Sequence, residues 1–447
     1  MNSERAKTSE ERSRWHVTRL LDVTRHHSGN SKLIKGKLFD APRGNLFPAF
    51  SASGQDVWRE DYESEGDAVI VSAVGARCGK AFLASGKWSA IANTHVVWPQ
   101  PDKIDRKFLW YRINDERFWI RSGTAQPFVV VRKTFERPFA LPPLDEQQHI
   151  VAEIEKQFTR LDAGVASLKR GQTALKRYRA SVLKAACEGR LVPTEPELAR
   201  KKNRSYETGE QLLQRILKER REKWNGKGKY KEPVSADIVD LPRLPEGWGW
   251  ARLEQLGFIF GGLTKNPKRS KLKKQLPYLR VANVYANELR LDDIEHIGVE
   301  DSELAKLLVR VGDLLIVEGN GSKAQIGRLA IWNGAIDPCV HQNHLIKVRP
   351  VESRMPKWIL YWLQSPLGRQ FVELVASSTS GLYTLSVNKV GDLPIALPPR
   401  AEQKRIIGEI ERRMSVVEEL ETVTSTELQR ATRLRQSILH QAFSGVI

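Results

Sequence analysis

Two long stretches of the chain place apolar residues at alternating steps of three and four, the spacing that aligns them along one side of an α-helix. In the first stretch these residues are Val151, Ile154, Phe158, Leu161, Val165, Leu168, Leu175 and Val182. In the second, Ile407, Ile410, Met414, Val417, Leu428 and Ile438 lie on similar positions, although Glu421 and Thr424 interrupt the pattern at its centre. The pattern predicts two long helices that pair along an apolar seam. The alternative is that each helix only packs on its own domain, although a helix of about 45 residues spans about 65 Å.

Both stretches begin with the same motif. LPPLDEQQHIVAEIEKQF starts at Leu141 and LPPRAEQKRIIGEIERRM starts at Leu397. The same offset holds without a gap to the ends of the stretches, where Gly189 matches Gly445. Loops accumulate insertions whereas packed helices rarely tolerate them, so the constant register supports the helix assignment. The prolines and acidic residues at the start suit a helix N-terminus, and the glycines suit its end.

The repeat extends upstream of the predicted helices. SGTAQPFVVV from Ser122 aligns with STSGLYTLSV from Ser378 at the same offset. Further upstream, EGDAVIV around Gly66 resembles VGDLLIV around Gly312, and the segments KFLWYRI and KWILYWL follow at similar places. Each half is therefore predicted to be a mixed α/β domain followed by a long α-helix, which makes the fold class α+β.

This organisation gives five predicted segments. They are a first domain at 1–140, a central long helix at 141–190, a linker with a helix at 191–243, a second domain at 244–396 and a distal long helix at 397–447. The linker contains Pro193, Pro196 and the polar run NGKGKYKEP, and its helix is predicted from Glu210 to Lys223. Composition changes of this kind are typical of a connection between domains.

The charge of the chain favours a polyanionic partner. It contains 72 Lys and Arg against 53 Asp and Glu, which leaves a net charge of +19. Each phosphate that a Lys or Arg neutralises releases counterions, so this excess suits nucleic acid, although ribosomal and membrane-surface proteins share it. The three widely spaced cysteines suit a reducing cytoplasm. No apolar run is long enough to span a membrane, and MNSERAKTSEERSRW has no secretory character.

The sequence lacks the motifs of the common enzyme classes. It contains no phosphate-binding Walker loop, no GxGxxG after a strand, no HExxH, no nucleophile elbow and no Asn-Pro-Pro-Tyr segment of an amino-methyltransferase. Cys339, His341 and His344 lie close together but supply at most three ligands, so no metal site is predicted and a strand with satisfied polar residues is favoured. No catalytic residue is predicted.

Basic loops occur at matching places in both halves. The first carries Arg25, Lys32, Lys35 and Lys37, and the second carries Lys265, Lys268, Arg269, Lys271 and Lys273. Two Gly-rich loops provide further candidates, namely Arg77 and Lys80 in the first half and Lys323 and Arg328 in the second. Long cationic side chains on such loops can reach phosphates and guanine edges, which predicts DNA contact. The alternative for each run is a solvated loop.

The two LPP-x-x-EQ-x-x-I motifs, together with LPEGWGWARLEQLG from Leu244, resemble the specificity subunit of type I restriction-modification systems. The resemblance covers nearly the whole chain. At the N-terminus, RSRWHVTRLLDV resembles WGWARLEQLG but lacks its Leu-Pro-Glu-Gly lead-in, so the start of the first domain is not fixed.

The resemblance implies two target-recognition domains that each read one half of an asymmetric bipartite DNA site, with the helices setting the spacing and docking partners. It implies as partners double-stranded DNA and two adenine methyltransferase subunits, with the translocase-nuclease subunit as a further candidate. S-adenosylmethionine, ATP and magnesium would belong to those subunits, and this chain would hold no cofactor. Antiparallel pairing of the helices is the more economical arrangement, because the end of the first then lies near the start of the second.

A structural or assembly protein with coiled-coil partner docking and non-specific nucleic-acid binding is the alternative function. Sequence-independent, salt-dependent affinity would favour it. The target bases, the spacer length and the presence of a nuclease partner are beyond what the sequence specifies.

Overall fold

A computed structural model describes residues 15–224, 229–237, 240–323, 325–379 and 381–445. In chain order the strands are β1 His16–Arg19, β2 Thr24–Ser28, β3 Phe47–Ser51, β4 Gly54–Arg59, β5 Ser64–Glu65, β6 Ala68–Ser72, β7 Ala81–Ala84, β8 Lys87–Ala90, β9 Thr94–Pro99, β10 Arg121–Ser122, β11 Phe128–Val129, β12 Pro138–Leu141, β13 Gly249–Arg252, β14 Gly257–Phe260, β15 Gln275–Leu279, β16 Val284–Tyr285, β17 Glu288–Leu289, β18 Glu295–Gly298, β19 Leu314–Val317, β20 Gly319–Asn320, β21 Leu329–Ile331, β22 Val340–His341, β23 Leu345–Pro350, β24 Ser377–Thr379, β25 Leu382–Thr384 and β26 Pro394–Leu397.

The helices are α1 Leu20–Val23, α2 Arg106–Ile113, α3 Val131–Phe135, α4 Leu144–Cys187, α5 Glu195–Lys201, α6 Gly209–Glu222, α7 Leu253–Leu256, α8 Asp301–Leu307, α9 Met355–Gln364, α10 Pro366–Val375, α11 Val387–Gly391 and α12 Arg400–Phe443. Among the described residues, no helix combines the length and the apolar character needed to cross a membrane. The contacts divide the chain into two compact units. Unit 1 contains the residues up to Arg170 and those from Thr424 onward, and unit 2 contains Gly171–Val423.

The same sheet occurs in each unit. Unit 1 contains a four-stranded antiparallel sheet in the order β2-β9-β6-β7, and unit 2 contains one in the order β14-β23-β19-β21. A second sheet in each unit contains one parallel pair, β3 with β8 in unit 1 and β15 with β22 in unit 2. The first and last strands of each domain also pair, β1 with β12 and β13 with β26. The predicted fold class, two similar mixed α/β domains with long helices, is confirmed.

One inner strand of each main sheet is a nearly continuous apolar run. Strand β6 reads AVIVS and β19 reads LLIV, and every residue of both strands is buried. A strand that is covered on both faces requires this composition, whereas a half-exposed strand would alternate apolar and polar residues. These runs therefore form the centre of each domain.

Helices α4 and α12 run antiparallel in both units. In unit 1 the apolar core contains Ile150 and Ile154 of α4 together with Ile438 of α12, and Asp162 forms an ion pair with Arg435. In unit 2 the core contains residues near the end of α4 and the start of α12, and Arg179 pairs with Glu421 at 3.2 Å. Early residues of one helix therefore meet late residues of the other, and the predicted antiparallel pairing is confirmed.

The seam residues differ in burial along the helices. Val151, Ile154, Phe158, Val182, Ile410, Met414, Val417 and Ile438 are buried. Leu161, Val165, Leu168, Leu175, Ile407 and Leu428 are half-buried. Except for Val417, these buried residues belong to the apolar core of one of the two units, so each helix contributes its two ends to different cores.

The glutamine of the repeated motif hydrogen-bonds a backbone carbonyl just before each long helix. The Gln147 side-chain amide donates to the carbonyl oxygen of Pro142 at 2.8 Å, and Gln403 makes the equivalent bond to Pro398 at 2.8 Å. Both glutamines are buried. A proline-rich entry leaves carbonyl groups without a helical partner, and this bond satisfies one of them. The glutamine of the LPP-x-x-EQ motif therefore satisfies a carbonyl of the motif's own prolines, and Gln147 also bonds Lys103 and Asp105 of the domain.

A repeated ion pair joins each domain to its own helix. Lys107 of α2 contacts Glu155 of α4 at 2.7 Å, and Lys357 of α9 contacts Glu411 of α12. The four side chains are about half exposed, so the pairs contribute little to stability. They orient the domain on the helix, which explains the last Glu of both EIE motifs.

The segment predicted as a linker contains α5 and α6, whose N-termini are capped by Thr194 and Thr208. Leu212 and Ile216 of α6 join the apolar core of unit 2. Part of the polar run NGKGKYKEP, residues 225–228, lies outside the described residues.

Candidate nucleic-acid interface

In unit 1, the two predicted DNA-binding loops leave the same end of the main sheet. Strands β2 and β6 both pair antiparallel with β9, so both strands end on the same side. The loop after β2 carries Lys32, Lys35 and Lys37, and the Gly-rich loop after β6 carries Arg77 and Lys80. The topology therefore brings together cations that are far apart in the sequence.

Unit 2 repeats this arrangement. Strands β14 and β19 both pair antiparallel with β23, and the loops that follow them carry the remaining candidates. These candidates are Lys265, Lys268, Arg269, Lys271 and Lys273 after β14, and Lys323 and Arg328 after β19. Each unit thus presents one end of its sheet as a basic surface.

Most of the unit 1 candidates are available to a ligand. Arg25, which lies within β2, and Lys32, Lys37 and Arg77 are exposed, and none forms an ion pair within the described part of the chain. Lys80 is half-buried. Lys35 pairs with Asp56. An anion would have to compete with that carboxylate for Lys35 only.

The unit 2 candidates fall into two groups. Lys268, Lys271 and Lys273 are exposed and form no ion pair with any described residue. The others have protein partners: Lys265 contacts Glu295 at 2.7 Å, Lys323 contacts Glu373 at 3.8 Å, and Arg328 donates to the Val281 carbonyl at 3.0 Å. The first group can bind phosphate without breaking a contact of the protein.

Arg269 braces the basic loop. Its guanidinium donates to both carboxylate oxygens of Glu303 in α8, at 2.8 and 2.9 Å, and to the Gly298 carbonyl at 3.2 Å. The hydrogen bonds that Arg269 donates to the Glu303 carboxylate raise the pKa of Arg269. The loop also approaches Gly298 so closely that an added Cβ would lie 1.9 Å from the Arg269 carbonyl oxygen. To reach DNA, Arg269 would have to release Glu303.

Buried His341 anchors the start of the same loop. Leu263 donates its backbone N–H to the His341 carbonyl at 2.9 Å, and the His341 ring Nδ1 lies 2.9 Å from the Leu345 carbonyl. A carbonyl can only accept, so Nδ1 carries the proton. Burial, followed by the charge of Lys347, lowers the pKa of His341 to about 3. The neighbouring Cys339 is buried and His344 contacts Glu318 at 3.2 Å. The described residues contain no group of three side chains placed to hold a metal ion.

Sequence reasoning assigned no role to a β-hairpin that stands beside each Gly-rich loop. In unit 1 it consists of β10 and β11, and Gly75 of the Gly-rich loop donates to the Pro127 carbonyl at 2.8 Å. In unit 2, β25 pairs with both β24 and β20. The only signal in the sequence was the matched position of these segments in the repeat.

Comparison with known proteins gives a consistent result. The chain is 26% identical over 310 residues to the EcoKI specificity subunit of Escherichia coli, a match that covers 68% of the chain and 56% of that subunit. It is 22% identical over 427 residues to the EcoDI specificity subunit of Escherichia coli, covering 93% of the chain and 86% of that subunit. The chain is thus similar to type I restriction enzyme specificity subunits. No family model matches it.

Solved structures agree on the fold. The HsdS subunit from Thermoanaerobacter tengcongensis matches with a TM-score of 0.52 and 17% identity, over 97% of both chains. A second match is a chain from a structural study of complex assembly and conformational transition in the type I R-M system. It has a TM-score of 0.59 and 19% identity, over 96% of this chain and 97% of that one.

Proposed function

We propose that the chain is the DNA-recognition subunit of a type I restriction-modification enzyme, in which each unit reads one half of an asymmetric bipartite target. The observation that carries this proposal is the basic surface at the same end of the main sheet in both units. Phosphate contacts from the exposed lysines would position each unit, and base contacts from the same loops would supply specificity. The loops differ between the units, so the two half-sites differ.

The long helices are proposed to dock two methyltransferase subunits and to set the spacing of the half-sites. On α12, Val416, Leu420 and Val423 follow steps of four and three and are 51%, 46% and 53% exposed. An exposed apolar stripe of this spacing suits another helix. Adenine methylation and DNA cleavage would then take place in partner subunits in the cytoplasm. Those subunits would hold S-adenosylmethionine, ATP and magnesium.

The test is methylome sequencing of the host with and without this gene, together with methylation assays of the chain alone and with its methyltransferase partner. We expect one interrupted adenine motif that disappears with the gene, and no methyl transfer by the chain alone. Sequence-independent binding of DNA by the assembled complex would instead favour an assembly protein with general nucleic-acid affinity.

A matched pair of variants tests the basic surface. The triple change Lys268→Ala, Lys271→Ala and Lys273→Ala should weaken DNA binding and lower the slope of log affinity against log salt by up to about 0.9 for each lost phosphate contact. The control is Lys201→Ala with Lys202→Ala on the exposed side of the linker segment. Equal effects of the two variants per lysine removed would contradict a localised surface.

A further inference from the structure

The β10–β11 hairpin of unit 1 is a short two-stranded ribbon with a fixed turn. Its strands are antiparallel, with Ser122 opposite Phe128. Gly123 has a φ of +86°, and an added Cβ there would lie 2.6 Å from the Gln126 carbonyl oxygen. Only glycine fits this close approach, so the backbone of the turn is held in one shape.

The hairpin is tied to the Gly-rich loop by backbone hydrogen bonds. Gly75 donates to the Pro127 carbonyl at 2.8 Å, and Val129 donates to the Ala73 carbonyl at 2.9 Å. The ribbon therefore stands at the end of the main sheet that carries Arg77 and Lys32. Both bonds join backbone atoms of the C-terminal arm to the Gly-rich loop, so the position of the hairpin does not depend on surface side chains.

The tip of the hairpin offers groups that suit base edges. Thr124 and Gln126 are exposed, and neither side chain forms a hydrogen bond with a residue that the structure describes. Phe128 is 42% exposed beside them, and no acidic residue occurs from Arg121 to Val129. A two-stranded ribbon fits the major groove, and a glutamine amide can bond both N6 and N7 of adenine.

Unit 2 carries the equivalent hairpin with a different tip. Strand β25 pairs with β20 of the Gly-rich loop, and Leu385 donates to the Glu318 carbonyl at 2.8 Å. Its turn also uses a glycine with positive φ, Gly381, and Leu382 is 47% exposed. The same support with different tip residues is the arrangement expected of two readers of different sequences.

We propose that the hairpin from Arg121 to Val129 enters the major groove of the half-site read by unit 1, where Gln126 bonds a base edge. The inference rests on the proposed function and adds to it a specificity-determining residue. The surrounding lysines then supply affinity, and the hairpin supplies discrimination.

The experiment uses the full chain assembled with its methyltransferase subunits and a panel of duplexes with each base of the methylome-derived target replaced in turn. Gln126→Ala should reduce discrimination at one position of one half-site by about 5- to 150-fold, the equivalent of the ~1–3 kcal/mol that one bidentate contact contributes. The other half-site and the salt dependence should not change. Gln55→Ala, an exposed glutamine on β4 in the same unit, is the matched control and should leave every position unchanged.

Two further variants separate the outcomes. Leu382→Ala should alter the opposite half-site, and Gln126→Arg should shift the preferred base towards guanine. The hairpin proposal is overturned if Gln126→Ala binds all duplexes as the unmodified chain does, or weakens all of them equally. If the unmodified complex shows no sequence preference, the proposed function itself is wrong. That result comes from the unmodified complex alone and is therefore distinct from failure of the hairpin proposal.

Discussion

Acid should loosen the start of the basic loop in unit 2 through one residue, His341. The native ring is buried, its pKa is held at about 3, and its Nε2 has no hydrogen-bond partner among the described residues. In the unfolded chain a histidine titrates near 6.5. Below about pH 6.5 the unfolded state therefore binds a proton that the native state excludes, and stability decreases as the pH falls towards 3.

The size of the effect follows from these two pKa values. At about pH 5, a histidine that titrates near 6.5 when unfolded lies about 1.5 pH units below that value, and each unit corresponds to about 1.4 kcal/mol. The free energy of opening the region around His341 should thus decrease by about 2 kcal/mol between about pH 7.5 and 5. This decrease corresponds to an increase of about 30-fold in the opening equilibrium. Leu263 bonds to the His341 carbonyl, so the loop that carries Lys268 should be loosened with it.

Hydrogen exchange measured on peptides from β22 and β23 provides the assay, after correction for the intrinsic pH dependence of exchange. His341→Asn retains a donor for the Leu345 carbonyl but cannot titrate, so these peptides should lose the 2 kcal/mol pH effect. Exposed His296 is the control, as His296→Asn should leave the effect intact. In unit 1, burial lowers the pKa of His95 to about 4, so peptides from β9 should stay acid-sensitive in both variants. Equal acid sensitivity of β22–β23 with and without His341 would refute the reasoning.

Three other predictions concern the Arg269–Glu303 ion pair, the starts of the long helices and the length of those helices. Glu303→Gln should weaken DNA binding as Arg269→Ala does, because both changes remove the ion pair that holds the basic loop against α8. If Arg269 instead contacts a phosphate directly, Glu303→Gln should cause no loss of affinity. Titration with target duplex measures both variants. Gln403→Leu leaves the Pro398 carbonyl without its bond and should destabilise unit 2 by about 1–3 kcal/mol in hydrogen exchange, with unit 1 unaffected. Inserting one heptad at Gly171 of α4 and one at Thr424 of α12 lengthens each helix by about 10 Å and should lengthen the methylome spacer by about three base pairs. An unchanged spacer in an active complex would assign the helices to docking alone.

The long helices and the duplicated domains were predictable because their signals are periodic or repeated. The step of three and four residues defines a helix face locally, and the helices begin next to the LPP prolines as predicted. The order of the sheets was not predictable, since the parallel pairing of β3 with β8 joins segments about 40 residues apart and leaves no local pattern. The predicted segments are consecutive along the chain, whereas the contacts place the residues from Thr424 onward in unit 1.

The candidate site shows the same division between local and distant information. Composition identified the lysines, because exposed loop cations need no partner to be recognised. The pairing of Arg269 with Glu303 could not be predicted, since four strands separate α8 from the loop and only the fold brings its carboxylate to Arg269. The position of His341 beneath the loop depends on burial, which sequence proximity to Cys339 and His344 did not indicate.

Unit 1 contains residues from both ends of the chain, so it cannot be completed until translation of the chain is nearly finished. Ile438 and Ala442 lie in the same core as Ile150 and Ile154, so a ribosome that has released the first 170 residues has not yet produced the last layer of that core. Unit 2 is complete once Val423 has emerged, and unit 1 closes after it although its first strand is translated first. A premature stop codon near residue 424 would therefore damage the half of the protein that the beginning of the gene encodes.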